Sequence, residues 1–168
     1  MRYKIDTKVE REEICVRCLT TPMHYKNGKL QQIAFLPPSK KTDVSLLRLK
    51  FTTLEHCVNH GETLSTNRNS YIGLAFISPE ILAKALESYY NDYEHSDISA
   101  IILGTPIDEN KQYRTDIDNV YTDDPGLPMH ADLTYNREND PDVGEVRTHL
   151  RIIAQKIIEL ASLQLKET

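Results

Sequence analysis

The alternation of apolar and polar residues predicts several short strands in the first half of the chain. A period of two over residues 12–19 and again over 43–51 is typical of half-buried strands. The Asn-Gly pair at 27–28 is the strongest short-range hairpin signal, and we expect its second strand to run to about Phe35. The continuous apolar run 71–77 indicates a central strand that is covered on both faces.

Helix signals divide the rest of the chain. The capping box Thr52-x-x-Glu55 predicts a short helix that Gly61 ends, and Ser78-Pro79 predicts the start of a helix over about 79–91. After a short strand at 100–103, apolar residues spaced by three and four predict a last helix over about 143–165.

The segment 104–142 lies between the last predicted strand and the last predicted helix and has little periodicity. A connection of this length in a compact domain is usually functional or disordered. It carries tyrosine, leucine and methionine side chains, which a solvated linker disfavours, so we expect it to be an ordered loop.

These elements together predict an α+β fold. We expect a mixed, mainly antiparallel sheet of about five strands with two main helices and one short helix. Residues 12–168 should form a single domain, and residues 1–11, which are charged and short of apolar anchors, should form a flexible arm.

Composition narrows the class of partner and compartment. The net charge of −5 argues against unaided binding of duplex nucleic acid, which requires clustered cations. No apolar run approaches the roughly twenty residues that span a membrane, and the N-terminus lacks the core of a signal peptide. With three cysteines, an odd number, we expect free thiols and a cytoplasmic location.

Two sets of residues are candidates for a site. Cys15 and Cys18, with Cys57 and His60, have the spacing of a structural zinc site, although cysteines three apart on a strand point to opposite faces. His130 and Asp132 share one face of an extended segment and can hold a metal or move a proton. Under this enzyme hypothesis, His130, Asp132 and Arg48 are the catalytic residues, with Arg48 stabilising an anion.

Because no complete catalytic motif is present, we favour a non-enzymatic binding or assembly protein. It would be a subunit of a larger complex or a homo-oligomer, with no cofactor. One alternative is a small, metal-dependent or metal-free hydrolase or transferase that uses His130 and Asp132, and another is a structural zinc domain. Sensing of a small anionic ligand is a third, since a pocket beneath the 104–142 loop could hold an anion. Separately, Arg147 and Arg151 lie one turn apart and could grip a phosphate or a neighbouring acidic loop.

Overall fold

The computed structural model describes residues 2–38, 41–137 and 143–167. The strands are β1 (Cys15–Thr21), β2 (Tyr25–Lys26), β3 (Lys29–Leu30), β4 (Asp43–Arg48), β5 (Ser70–Ile77), β6 (Ile98–Gly104), β7 (His130–Arg137) and β8 (Ser162–Leu165). The α-helices are α1 (Leu54–Thr63), α2 (Pro79–Asp92) and α3 (Val143–Leu160). Short 3-10 helices lie at Gln32–Phe35 and Leu49–Phe51.

Six of the strands form one sheet in the order β6-β7-β4-β1-β5-β8, and β2 pairs with β3 as a separate hairpin. Every pairing in both sheets is antiparallel. The α+β fold that we predicted is therefore confirmed, with one more strand in the sheet than expected.

Each face of the sheet carries its own hydrophobic core. On the first face, α2 and α3 cover the larger core, which includes Cys15 of β1 and Leu46 of β4. On the second face, α1 and the end of the β6-to-β7 connection cover a smaller core, which includes Val16 and Leu47. Neighbours in a strand thus divide between the two cores, as the period of two requires.

Local signals explain most of the boundaries. Asn27 and Gly28 have φ angles of 54° and 74°, as a tight hairpin turn requires, and Ser78 accepts a hydrogen bond from Ile81 N at the start of α2. Helix α1 begins one residue later than predicted, because its capping side chain is Thr53. Our prediction that Gly61 ends α1 is wrong.

Gly61 serves close packing instead of helix termination. A Cβ atom at this position would lie 2.5 Å from Cε2 of Tyr71, so the absence of a side chain lets α1 approach β5. The helix continues to Thr63, because glycine ends a helix only where the chain adopts a left-handed conformation after it.

Two strands lie where the sequence pattern indicated other structure. Strand β7 falls inside the predicted loop, and β8 falls inside the last five residues of the predicted helix. The predicted second hairpin strand ends at Leu30 and is followed by a 3-10 helix. The described part of the predicted loop is therefore a connection over 105–129 followed by β7, and its residues 138–142 lie outside the described residues.

Residues 2–11 lie against the domain, although we predicted a flexible arm. Ile5 is buried, and its N–H donates to Val120 O. Gly104 N donates to Thr7 O, and a Cβ atom on Gly104 would lie only 2.6 Å from that oxygen. The arm thus has apolar anchors in Ile5 and Val9, which its charged neighbours hid in the sequence.

Candidate functional sites

His130 and Asp132 occupy the second face of β7, as their spacing predicted. They pair with Leu47 and Ser45 of β4, whose side chains point to the same face. The side chains of both residues are almost fully buried, and His130 Nε2 lies 3.9 Å from Asp132 Oδ1. The structure therefore brings this predicted pair together.

The connection between β6 and β7 supplies the hydrogen bonds of this pair. Asp132 Oδ2 accepts from Thr105 Oγ1 at 2.9 Å and from the Tyr113 hydroxyl at 2.8 Å. His130 Nδ1 lies 2.9 Å from the carbonyl oxygen of Thr105, to which only a protonated Nδ1 can donate. This bond assigns the proton of a neutral His130 ring to Nδ1 and leaves Nε2 as an acceptor.

Asp132 Oδ1 is a buried side-chain oxygen with no hydrogen-bond partner among the described residues. It faces His130 Nε2, so two hydrogen-bond acceptors lie opposite each other in the protein interior. Burial lowers the pKa of His130, and the nearby Asp132 carboxylate opposes this shift. The pair can therefore accept one shared proton or two hydrogen bonds from a bound donor.

The chemistry of the cluster gives no activated nucleophile. The Thr105 hydroxyl donates a hydrogen bond to the Asp132 carboxylate, and this bond stabilises the protonated form of the threonine. Burial, and then the hydrogen bond to Asp132, raise the pKa of Tyr113, so its hydroxyl also stays protonated. Among the described residues, no group of three or more His, Cys, Asp or Glu side chains is placed to hold a metal ion.

Arg48, the third residue of the enzyme hypothesis, points to the first face of the sheet and does not join His130. Its side chain is 1% exposed and forms two hydrogen bonds with Glu13, at 2.6 and 2.9 Å. The guanidinium also donates to the carbonyl oxygens of Asp6 and Lys8. Arg48 therefore holds the N-terminal arm, and the carboxylate partner that its burial required is Glu13.

The four residues of the predicted zinc site are not brought together. Cys15 lies in the core of the first face, whereas Cys18 and Cys57 lie in the core of the second, where Cys18 Sγ is 3.5 Å from Cys57 O. All three cysteines are free thiols. Burial raises the pKa of Cys15 and Cys18 to about 12 and that of Cys57 to about 11, so these are inert core thiols.

Strand β6 is an edge of the sheet with an open side. Thr105 N donates to His130 O, so alternate residues from Thr105 back along β6 bond inward to β7. The N–H and C=O groups of Ala100 and Ile102 therefore point away from the sheet, and within the described chain they have no partner. The side chains of Ile101 and Leu103 are 46% and 43% exposed.

Several residues of these sites could not be recognised from the sequence. Glu13, Thr105 and Tyr113 are far along the chain from their partners and stand in no recognisable motif. The apolar composition of β6 was visible, but its position at the edge of the sheet was not.

No family model, no curated protein and no solved structure matches the chain. None of the described helices is long and apolar enough to cross a membrane.

Proposed function

We propose that this chain is a non-enzymatic assembly protein that forms a homodimer by antiparallel pairing of two β6 strands. The observation that carries the proposal is the open edge of β6, where the outward backbone groups of Ala100 and Ile102 lack partners within the described chain. An apolar edge strand of this kind is a ready template for a further strand.

The pairing can be symmetric about Ile101. A two-fold axis there places Ala100 of one copy opposite Ile102 of the other, which allows four backbone hydrogen bonds. The strand carries no charged residue, so self-pairing brings no like charges together. The exposed Ile101 side chains of the two copies then meet directly across the axis.

Both ends of β6 limit the pairing to residues 99–103. Tyr90 donates its hydroxyl proton to Ile98 O, and Gly104 N is already bonded to Thr7 O. On the opposite edge of the sheet, β8 is shorter and is followed by Lys166, and a lysine beside an edge strand disfavours pairing. These contacts favour β6 over β8 as the docking edge.

The expected dimer is of moderate affinity. Each net hydrogen bond contributes about 0.5–1.5 kcal/mol, which does not by itself offset the entropy lost on association. Burial of Ile101 and Leu103 supplies the remainder, together with Tyr113, whose hydroxyl bonds the residue paired with Leu103. We expect a dissociation constant on the order of micromolar.

The proposal is tested by placing a charged side chain at position 101, on the two-fold axis. Ile101→Lys and Ile101→Glu should each be monomeric in light scattering and native mass spectrometry at concentrations where the wild type is a dimer. An equimolar mixture of the two variants should form a heterodimer, because opposite charges then face each other. Leu64→Lys, at a similarly exposed leucine after α1, is the control and should dimerise normally.

A wild type that stays monomeric at 100-fold above the expected dissociation constant would overturn the proposal. So would a dimer that both Ile101 variants leave intact, since the interface would then lie elsewhere. If β6 instead binds a different protein, the purified wild type should be a monomer whose Ala100 and Ile102 amides exchange rapidly with deuterium. This result also contradicts the homodimer.

The hydrolase or transferase based on His130 and Asp132 is a second candidate. The buried, unpartnered Oδ1 of Asp132 favours it, because such an atom suits a bound donor. Under this alternative, His130→Ala abolishes turnover with the fold intact. Under the assembly proposal, the same variant leaves the dimer unchanged.

A further inference from the structure

A basic groove lies beside α3. It is a cavity of about 660 Å³ between the β2-β3 hairpin, the 3-10 helix at Gln32–Phe35 and α3. Four cationic side chains line it: Lys26, Lys29, Arg147 and Arg151. None of the residues that line this cavity is acidic, although the chain as a whole carries a net charge of −5.

The hairpin presents its two lysines as a pair. Lys26 and Lys29 are direct cross-strand partners on either side of the Asn27-Gly28 turn. The side-chain amide of Gln31 donates to the carbonyl oxygens of both lysines and so fixes their backbone. Like charges directly opposite each other destabilise a hairpin unless an anion lies between them.

Helix α3 repeats this arrangement. Arg147 and Arg151 are four residues apart and lie on one face, where like charges also repel each other. Arg147 Nη1 donates to Pro37 O at 2.8 Å, which orients the guanidinium while leaving its other N–H groups available. In the described parts of the chain, none of the four cations has a carboxylate partner within salt-bridge distance.

A contact across the groove fixes the position of the 3-10 helix relative to α3. Gln32 Nε2 donates to Gln155 Oε1 at 3.1 Å, joining the 3-10 helix to α3. Gln155 in turn donates to Glu159, one turn further along and outside the lining. The contact between Gln32 and Gln155 thus holds two repelling pairs toward one cavity, and no carboxylate of the described residues neutralises their charge.

We propose that this groove binds a small molecule that carries two or more phosphate groups on an apolar or aromatic body. Arginine forks and lysine ammonium groups are the side chains that bind phosphate oxygens. The cavity also has apolar lining from Met23, Leu30, Ile33 and Leu36, which suits the organic part, and its volume is in the range of small-ligand sites. Binding in this groove does not require the proposed dimer.

Isothermal titration calorimetry with sodium tripolyphosphate and with adenosine triphosphate, at low salt and without magnesium, tests the groove. We expect saturable binding of one molecule per chain. The double variant Lys26→Gln/Lys29→Gln should bind about tenfold or more weakly, because charge-assisted hydrogen bonds are lost. Its hairpin should stay folded, since Gln31 contacts only the backbone of these residues.

The control is Arg11→Gln/Lys84→Gln, which removes the same charge from two cations that both lie beside Glu80. It should bind both anions as the wild type does. Without anion, the Lys26→Gln/Lys29→Gln variant should melt at a higher temperature than the wild type, because a repulsion has been removed.

Equal losses of affinity in the two double variants would overturn the site, since binding would then follow net charge. The absence of saturable binding by tripolyphosphate would overturn it as well. Adenosine triphosphate should bind at least tenfold more tightly than tripolyphosphate, and equal affinities would overturn the assignment of an apolar or aromatic body. Arg147→Gln/Arg151→Gln should lose affinity in the same way, and wild-type affinity in this variant would contradict the proposal.

Discussion

Two buried pairs of ionisable side chains, Glu13–Arg48 and His130–Asp132, lie on opposite faces of the sheet, and they differ in how completely their polar atoms are satisfied. Both Glu13 oxygens accept hydrogen bonds from Arg48, whose Nη1 and Nη2 also donate to carbonyl oxygens of the N-terminal arm. In the second pair, His130 and Asp132 are as deeply buried, yet Asp132 Oδ1 has no partner among the described residues. The two pairs are thus equally buried, but only the carboxylate of the first has hydrogen bonds to both of its oxygens. We call the first pair saturated and the second unsaturated.

The number of donors explains the difference. An arginine has five N–H donors in a fixed fork, so it can satisfy a carboxylate and two carbonyl groups at once. A neutral histidine has one donor, and His130 directs it to Thr105 O. The first pair therefore fixes the fold, whereas the second retains the capacity to take up a proton or a donor.

Removing one partner of the saturated pair should have the largest effect. Glu13→Ala leaves the Arg48 guanidinium buried without a carboxylate and should lower the free energy of unfolding by about 3–5 kcal/mol in urea titrations. The double variant Glu13→Leu/Arg48→Met should recover much of this loss, because no charge is then left unpaired. A loss below about 1 kcal/mol for Glu13→Ala would mean that the pair behaves like a surface ion pair.

Acid should destabilise the folded chain through its buried histidines, among them His130 and His24. Burial lowers the pKa of His130, and burial and then Arg17 lower that of His24 to about 3. The unfolded chain binds protons at these sites below about pH 6.5, where the folded chain does not, so stability is present above that pH and decreases as the pH falls. For His24 the loss at pH 5 should be about 2 kcal/mol.

Urea titrations at pH 7.5 and pH 5 measure this loss. His24→Gln should remove the larger part of the acid sensitivity, and His130→Gln should remove a further part. If His130→Gln left the difference between the two pH values unchanged, the His130 ring would titrate as freely in the folded chain as in the unfolded one.

The smallest effect is expected for Asp132→Asn. The asparagine oxygen can accept from Thr105 and Tyr113 as Oδ2 does, while its amide replaces Oδ1 and donates toward His130 Nε2. Stability at pH 7.5 should therefore stay within about 1 kcal/mol of the wild type or rise slightly. The matched change Glu13→Gln should be destabilising, because it removes the charge that Arg48 requires. If Asp132→Asn and Glu13→Gln lowered the free energy of unfolding equally, the two pairs would not differ in the way proposed.

Much of the fold followed from local patterns, and the errors have identifiable causes. The strand signal of β7 was hidden because it follows a long aperiodic connection and carries buried polar residues, His130 and Asp132, where a strand pattern has apolar ones. Strand β8 was hidden because Leu163 and Leu165 continue the spacing of the α3 stripe. In each case tertiary pairing with a neighbouring strand overrode the local preference.

The candidate sites were predictable only in part. The shared face of His130 and Asp132 follows from their spacing, and so does the separation of Cys15 from Cys18. Glu13 lies 35 residues from Arg48, and no pattern relates them. The same holds for the hairpin lysines and the α3 arginines, which meet in one groove although they come from opposite ends of the chain.

Local sequence was enough to predict the features that depend on neighbouring residues: the hairpin turn at Asn27-Gly28, the cap at Ser78, and the faces to which alternate side chains of a strand point. These features follow from backbone sterics and periodicity, which act over a few residues. Which strand became an open edge, and which charges became paired, could be seen only in the folded domain. Strand order and register bring distant residues together, and they are fixed by the packing of the whole domain.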